Sequence, residues 1–512
     1  MAEEQDQKAL KAFIERRHPE YDDNKEHWAF LEQCYSGGRN WFKDNIFQYI
    51  KEGTKEYADR IERAYRFNHS REIVDLVSKY IYKAPIHRSV DDASDAVQAF
   101  WKRTTIGGAD INQYSRNMSD RSSIYGRIWV VVDSTMKPST STAEEKSGDG
   151  RIYSYIVTPQ NALDMAFDDV GELLWILIHE EYRDDEDPIY SSGEVVSRYR
   201  LWTRYGWALY ALDGESEEKK EVILIDSGEH GLGVVPVFPV DHLTSDESEY
   251  TAPALIGDIA YMDRAISNYL SNLDAIIQDQ TFSQLVIPAQ SILPGTKEYD
   301  HLVEMGTKRV FTYDGENGMQ PFYLSPDPKQ AELIMMVVKQ IINEIYHTVG
   351  MAGERTKQDN SVGIDNSSGV AKAYDFERMN ALLTSKAGRL EAAENRLVAL
   401  VNLWAGQSNK QEDKDLVSYS DTFDTRDLYD EFDIAMRLTT ISAPDDVRRK
   451  QMEQVIEKLF PDLPMAVKEK MKKSLKDWPI DPMEEFSQPD SPFANSEQKS
   501  GEEESAQDTE QS

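Results

Sequence analysis

The chain has 512 residues, a formal net charge of −35 from 92 acidic and 57 basic side chains, and a hydrophobic content of 40%. That length exceeds one ordinary core and implies two to four domains, and the apolar fraction suffices for globular packing. The acidity opposes the wrapping of nucleic acid, because phosphate binding needs Lys and Arg to displace counterions; it fits either plain solubility or a surface past which DNA slides without sticking.

Residues 1 to about 120 read as helical. Gly37 to Ile50 is amphipathic around Trp41 and Phe42, and Asn68 to Tyr82 places Ile73, Val77, Tyr80 and Ile81 near one face until Pro85 ends it. A β-rich block follows: Arg127–Asp133, Arg151–Val157, Leu173–Tyr182, Val195–Tyr205, Trp207–Leu212, Glu221–Ile225 and Val234–Val240, separated by glycine turns. Short strands with close turns favour an antiparallel meander over βαβ units. Ser134–Gly150 reads as a mobile insertion.

Thr251 is the expected cap of a helix reaching about Gln280, with Pro253 in its first turn. Leu255, Ile259, Met262 and Ile266 begin its apolar stripe, which continues through Leu270, Leu273 and Ile277. Thr281–Ser325 is a small mixed excursion with strands over Ser283–Ala289 and Lys308–Asp314. Pro328–Val349 is the next helix. Ile334, Val338, Ile341 and Ile345 lie on one side, and Leu333, Met336 and Val337 widen the apolar surface, so cover on two sides is expected.

A polar loop, Gly350–Gly369, then leads into a helix over Val370–Ala405, about 54 Å long at 1.5 Å per residue, with Gly388 as the expected bend. The loop has two readings: a disordered connection, or a functional segment whose Arg355, Lys357, Gln358, Asn360 and Ser361 make brief phosphate contacts. Residues 406–480 are helical again, with a basic helix carrying Lys468, Lys470, Lys472, Lys473 and Lys476. From Asp481 to Ser512 ten acids face one Lys499, too polar a stretch to bury a core, and disorder is expected there.

The catalytic search is negative. The nine histidines form no HxxxH pair, and the one cysteine, Cys34, rules out an intramolecular disulfide and a cysteine-based zinc site. Gly295-Thr296-Lys297 lacks the rest of a phosphate loop, Gly231-Leu232-Gly233 precedes a strand instead of following one, and no Gly-x-Ser-x-Gly elbow occurs. Acid pairs such as Asp168-Asp169 and Asp445-Asp446 are expected by chance at this acid content, and Asp184–Asp187 is most simply a solvated loop. No catalytic residue, metal site or cofactor is assigned. The N-terminal stretch lacks the apolar core of a signal peptide and no run reaches the roughly 20 apolar residues of a bilayer span, so folding in a reducing cytosol and no membrane contact are expected.

Four places in succession resemble the portal proteins of tailed double-stranded DNA bacteriophages. They are Asn68-His-Ser-Arg71-Glu72-Ile73-Val74-Asp75 with Tyr80, Tyr82 and Pro85; Ser122-Ser-Ile-Tyr125-Gly126 before the Arg127–Asp133 strand; the helix–excursion–helix of Thr251–Val349; and Asn366-Ser-Ser-Gly369-Val370-Ala371-Lys372. The resemblance covers roughly residues 40–480. It implies an α+β portal fold: a wing of N-terminal helices and antiparallel strands over 1–250, stem helices over 251–280 and 327–349, an α/β clip over 281–326, a tunnel loop over 350–369, a long kinked wing helix over 370–405, a helical crown over 406–480 and an acidic tail over 481–512.

It further implies a homo-oligomeric ring, typically of twelve subunits, at one capsid vertex of a virion assembled in the host cytoplasm. Double-stranded DNA would pass through it without sequence-specific contact during packaging and ejection. Its partners would be the terminase large subunit, which supplies ATP hydrolysis, then neck or head-completion proteins, and the major capsid and scaffold proteins. The stripes at Leu255–Ile266 and Ile334–Ile345 would pack the stem. Another virion adaptor or minor head protein would lack paired stem helices. A metal-dependent nuclease would need a carboxylate cluster that converges only in three dimensions.

Overall fold

A computed structural model describes residues 2–50, 52–135, 150–213, 221–243, 248–281, 284–288, 297, 310–313, 320, 322–324, 328–350, 369–406, 415–420, 423, 444–459 and 465–475. The chain divides into two units, Met1–Phe423 and Asp424–Ser512. The expected insertion after Ser134, the 350–369 loop and the acidic tail lie almost wholly outside the described residues.

The first unit opens with helices α1 (Ala2–Glu15), α2 (Pro19–Ser36), α3 (Arg39–Asn45), α4 (Thr54–Arg63) and α5 (His69–Ile81). Strand β1 (His87–Arg88) and helices α6 (Asp95–Lys102) and α7 (Ile111–Tyr125) follow. Local chemistry sets their starts: the side chains of Asn68, Ser94 and Asp110 each accept a backbone N–H three residues on, at 3.0, 3.3 and 2.9 Å. Helix α5 buries Ile73, Val77 and Ile81 as its spacing predicts, and Val74 with them, while Tyr80 is only half-buried. Helix α7 buries Ser115, Ser119, Ser122 and Ser123. Small side chains let neighbours approach closely, and Ser122 and Ser123 return their hydroxyls to the carbonyls four residues back at 2.7 and 2.8 Å.

The expected single meander is two sheets. Strand β2 (Arg127–Ser134) lies between β3 (Ile152–Val157) and β9 (Val237–Asp241), antiparallel to both. Its first seven residues are all buried, which explains an unbroken apolar run where a one-faced strand would alternate. The second sheet is an antiparallel meander of β4 (Ala162–Phe167), β5 (Leu173–Arg183), β6 (Val195–Thr203), β7 (Gly206–Asp213) and β8 (Glu221–Glu229). Strand β4 is absent from the sequence expectation because Ala162-Leu-Asp-Met-Ala-Phe has no β-branched residue. Pairing with β5 and an Arg16–Asp164 ion pair at 2.5 Å hold it. Helix α1 closes a small separate core, setting Ile14 with Leu163, Leu177, Tyr199 and Val222.

Helix α8 spans Gly257–Thr281, so it starts six residues after the expected cap. Thr251 is otherwise engaged: its N–H donates to Ser248 Oγ at 2.9 Å and its hydroxyl to Glu20 at 3.0 Å. The Leu255 N–H donates to the Ser123 carbonyl at 3.0 Å, drawing residues 251–256 against the α7–β2 corner. Strands β10 (Gln284–Pro288), β11 (Val310–Tyr313) and β12 (Phe322–Leu324) follow, with β10 central, parallel to β11 and antiparallel to β12. Helices α9 (Pro328–Thr348) and α10 (Gly369–Trp404) come next, and α10 stays helical through Gly388. Strand β13 (Val417–Ser418) pairs antiparallel with β1, so residues 415–423 belong to the first unit instead of a helical region beginning at 406. The second unit contains α11 (Asp445–Leu459) and α12 (Met465–Ser474).

Gly126 makes the α7–β2 corner possible. Its φ is +85°, and a Cβ there would lie 1.8 Å from the Ala252 carbonyl oxygen. Gly171 has a similar φ of +81° and open space around it. Gly126→Ala is expected to destabilise the fold by about 3 kcal/mol or more and Gly171→Ala by about 1 kcal/mol. Equal losses in thermal or urea unfolding would refute the close approach.

Candidate functional site

Helices α8 and α9 flank the β10–β12 segment and pack against each other. Ile259 and Ile266 on α8, and Val338 and Ile345 on α9, are buried in the main core. Leu255, Met262, Ile334 and Ile341 pack against that same core while partly exposed. All eight expected stripe residues therefore lie in or against that core, Leu255 from the turn before α8. A fully buried Ile or Val contributes about 1.5–3 kcal/mol.

Part of the apolar surface is uncovered. Leu333 is 56% exposed and Met336 62%, with Met335 also exposed on α9. On α8, Tyr261, Tyr269 and Ile277 are exposed. The five loop residues Arg355, Lys357, Gln358, Asn360 and Ser361 lie outside the described residues. The loop's starting point is described: Gly350 has φ +71°, and a Cβ there would sit 2.9 Å from the Met379 nitrogen on α10. Arg378 Nη1 also lies 3.4 Å from His347 Nε2, so the end of α9 rests on the third turn of α10.

Sequence reasoning missed the polar anchors of these helices. Asp263, Ser267 and Ser271 form a buried stripe at four-residue spacing on α8, beside the apolar one. Asp263 Oδ2 accepts from Arg66 Nη2 at 3.0 Å and from the Ser70 hydroxyl at 3.0 Å. Arg66 also donates to the Cys34 carbonyl and Asn68 Oδ1, both at 2.6 Å, and its guanidinium stacks over Trp41 at 4.1 Å. Burial raises the Asp263 carboxyl above its ordinary range against the opposing pull of Arg66. Ser271 Oγ accepts from Arg60 Nη1 at 2.9 Å, and Arg60 holds Glu52 bidentately at 2.7 and 2.6 Å. That fork keeps the Glu52 carboxyl below its usual value. Helix α9 is tied separately: Tyr346 OH donates to Glu72 on α5 at 2.5 Å.

Helix α10 buries two ionisable groups. Lys386 is fully buried and donates to Ser122 Oγ, and burial lowers its pKa to about 7 against the attraction of Asp120 and Asp241. Asp120, beside the Ser78 hydroxyl, is raised by burial to about 6. Glu394 is held by Arg88 at 2.8 and 2.9 Å and by the Tyr419 hydroxyl. Among the described residues no group of three or more His, Cys, Asp or Glu is arranged to hold a metal, and no helix is long and apolar enough to cross a membrane.

The sequence matches the family described as "Phage portal protein, SPP1 Gp6-like" over residues 18–441. The chain belongs to the SPP1 Gp6-like phage portal protein family. This portal family is structural in kind, with a portal function in virion-type particles. No curated protein matches the sequence. Among solved structures the chain is similar to one described as "Virion of native gene transfer agent (GTA) particle", at 9% identity and TM-score 0.40, over 82% of this chain and 89% of that one. Another is "Neck of empty GTA particle computed with C6 symmetry", at 9% identity and TM-score 0.35, over 73% and 86%.

Asp263→Ala leaves Arg66 buried without its carboxylate and is expected to cost about 3 kcal/mol in urea unfolding; a loss below about 1 kcal/mol would refute the anchor. Lys386 gives a pH test. Its folded pKa lies below the unfolded value, so between about pH 7 and 10 the unfolded chain binds the extra proton. Stability should therefore rise with pH across that window, with this residue adding a slope approaching about 1.4 kcal/mol per pH unit. Lys386→Met should remove that component, and an unchanged slope would refute it.

Proposed function

We propose that this portal-family chain assembles into a closed ring, typically of twelve copies, with α8 and α9 side by side around a central channel for double-stranded DNA. A heterologous contact between copies closes when its rotation divides a full turn. The observation that carries the reading is the uncovered apolar surface on a helix pair that is already packed on one side: Leu333, Met335 and Met336 on α9. A neighbouring copy supplies the second cover that these side chains lack. The formal charge of −35 per copy favours a conduit that repels DNA over one that grips it. In the 350–369 loop, Arg355 and Lys357, with Gln358, Asn360 and Ser361, make brief phosphate contacts that read no bases.

In this reading the β10–β12 segment is the clip that receives the terminase large subunit and later the neck proteins. The N-terminal helices and sheets form the wing, and the capsid and scaffold proteins contact it. The chain contributes no catalytic step and needs no cofactor, and energy for packaging comes from the motor.

Negative-stain imaging and native mass measurement, with the scaffold subunit co-produced, test the ring. A closed assembly of about twelve copies with a central hole is expected, and Met336→Glu should reduce its yield at least tenfold. A compact monomer under those conditions overturns the reading. Deleting residues 351–368 should leave rings intact and impair packaging or DNA retention; normal packaging removes the loop from the mechanism.

A further inference from the structure

The β5–β6 hairpin outruns its sheet. Strand β4 pairs with β5 only as far as Ile178, and β7 pairs with β6 only from Arg198 onward. Between those limits Glu181, Tyr182 and Arg183 pair with Ser197, Val196 and Val195 alone. Among the described residues, 181–197 therefore form a two-stranded arm with no third strand on either side. Such a ribbon is marginal in water by itself. Its base is braced by Arg198, whose guanidinium stacks 3.5 Å over the Tyr182 ring.

The tip is fixed by its own side chains. Asp184 Oδ2 accepts from both the Ser192 N–H and hydroxyl at 2.9 Å, and the Gly193 N–H returns to the Asp184 carbonyl at 2.8 Å. Asp187 Oδ1 accepts the N–H groups of Ile189 and Tyr190 at 2.8 and 2.9 Å, while Ser191 Oγ accepts the Asp187 N–H at 2.9 Å. This framework presents Ile189 at 79% exposure and Tyr190 at 86%. Val195, 61% exposed, and Val196 extend the apolar surface along the arm. Single exposed apolar residues are ordinary. Four on seventeen residues, two of them at an ordered tip, form a preorganised contact of the kind that loses little entropy on binding.

Charge selects the occupant. From Glu181 to Ser197 six acids face one arginine. That rim repels nucleic acid and anionic lipid, and a second copy of this chain brings the same −35. A protein groove with an apolar floor and a Lys/Arg rim complements both the tip and its surround.

We infer that the 181–197 arm is a docking finger for a different protein of the particle, one whose surface carries an apolar groove edged by lysine and arginine. The inference rests on the portal reading for its setting and assigns the contact to Ile189, Tyr190, Val195 and Val196.

The full chain has a single cysteine, Cys34, which is buried and whose thiol is pushed up to about 11 by that burial, so it stays silent to thiol reagents. Tyr190→Cys therefore introduces one reporter. Maleimide should label it rapidly in the isolated protein and at least tenfold more slowly in purified particles. A photoactivatable maleimide should join it to a different polypeptide, at a peptide containing Lys or Arg beside apolar residues. Ile189→Asp should leave the isolated chain folded and lower its incorporation into particles about tenfold. Undiminished labelling in particles, or cross-links to a second copy, would overturn the docking finger while leaving the portal reading standing. Absence of the chain from the particles would instead overturn the portal reading.

Discussion

Asp263 lies fully buried on α8, where a lone carboxylate would be intolerable. It is accommodated because Arg66 and Ser70 meet it there, and Arg66 reaches in turn to Cys34, Asn68 and the Trp41 ring. One ion pair thus fastens α8 to the N-terminal helices. Arg60 repeats the device two turns on, between Glu52 and Ser271. Hydrophobic contact alone would let α8 slide or rotate by a small angle at little cost. Directional hydrogen bonds at Asp263 and Ser271, two turns apart, fix its register, and α9 takes its place from α8 and from the bond of its own Tyr346 to Glu72 on α5.

Buried charge on α10 follows the same logic with different partners. Glu394 has two donors with good geometry, whereas Lys386 has one hydroxyl and two carboxylates at longer range. Replacing such groups by apolar side chains is often neutral or stabilising. Their presence on the buried face of a long helix fits a role in setting its register against α7 and β1 more than in adding stability.

The legible part of the fold was the part with a period. The stripes from Leu255 and from Ile334 identified both helices, and glycine turns delimited most strands. Boundaries failed where tertiary contact outbid local preference: Thr251 has the chemistry of a cap, but Ser248 and Glu20 claim it. Strand β4 lacked propensity, and the two-residue β13 was too short to register. The Asp263–Ser267–Ser271 stripe was visible as a spacing, yet serine at that spacing reads as solvent-facing until the guanidinium partners are known. For the family, order of motifs carried more than any single residue, and the match over residues 18–441 agrees with it. The five loop residues fall outside the described part of the chain, so their role stands on composition.

The bond from Arg88 to Glu394 spans 306 positions of chain, and the β1–β13 ladder beside it spans still more. A ribosome adding about 5–20 residues per second needs roughly 15–60 s to supply the second partner after the first has emerged. During that interval β1 lacks its partner strand and Arg88 lacks its carboxylate. Newly made chains therefore pass through a vulnerable period in which they are open to chaperones, and adventitious strand pairing is the hazard that late-arriving residues 415–420 bring to an end.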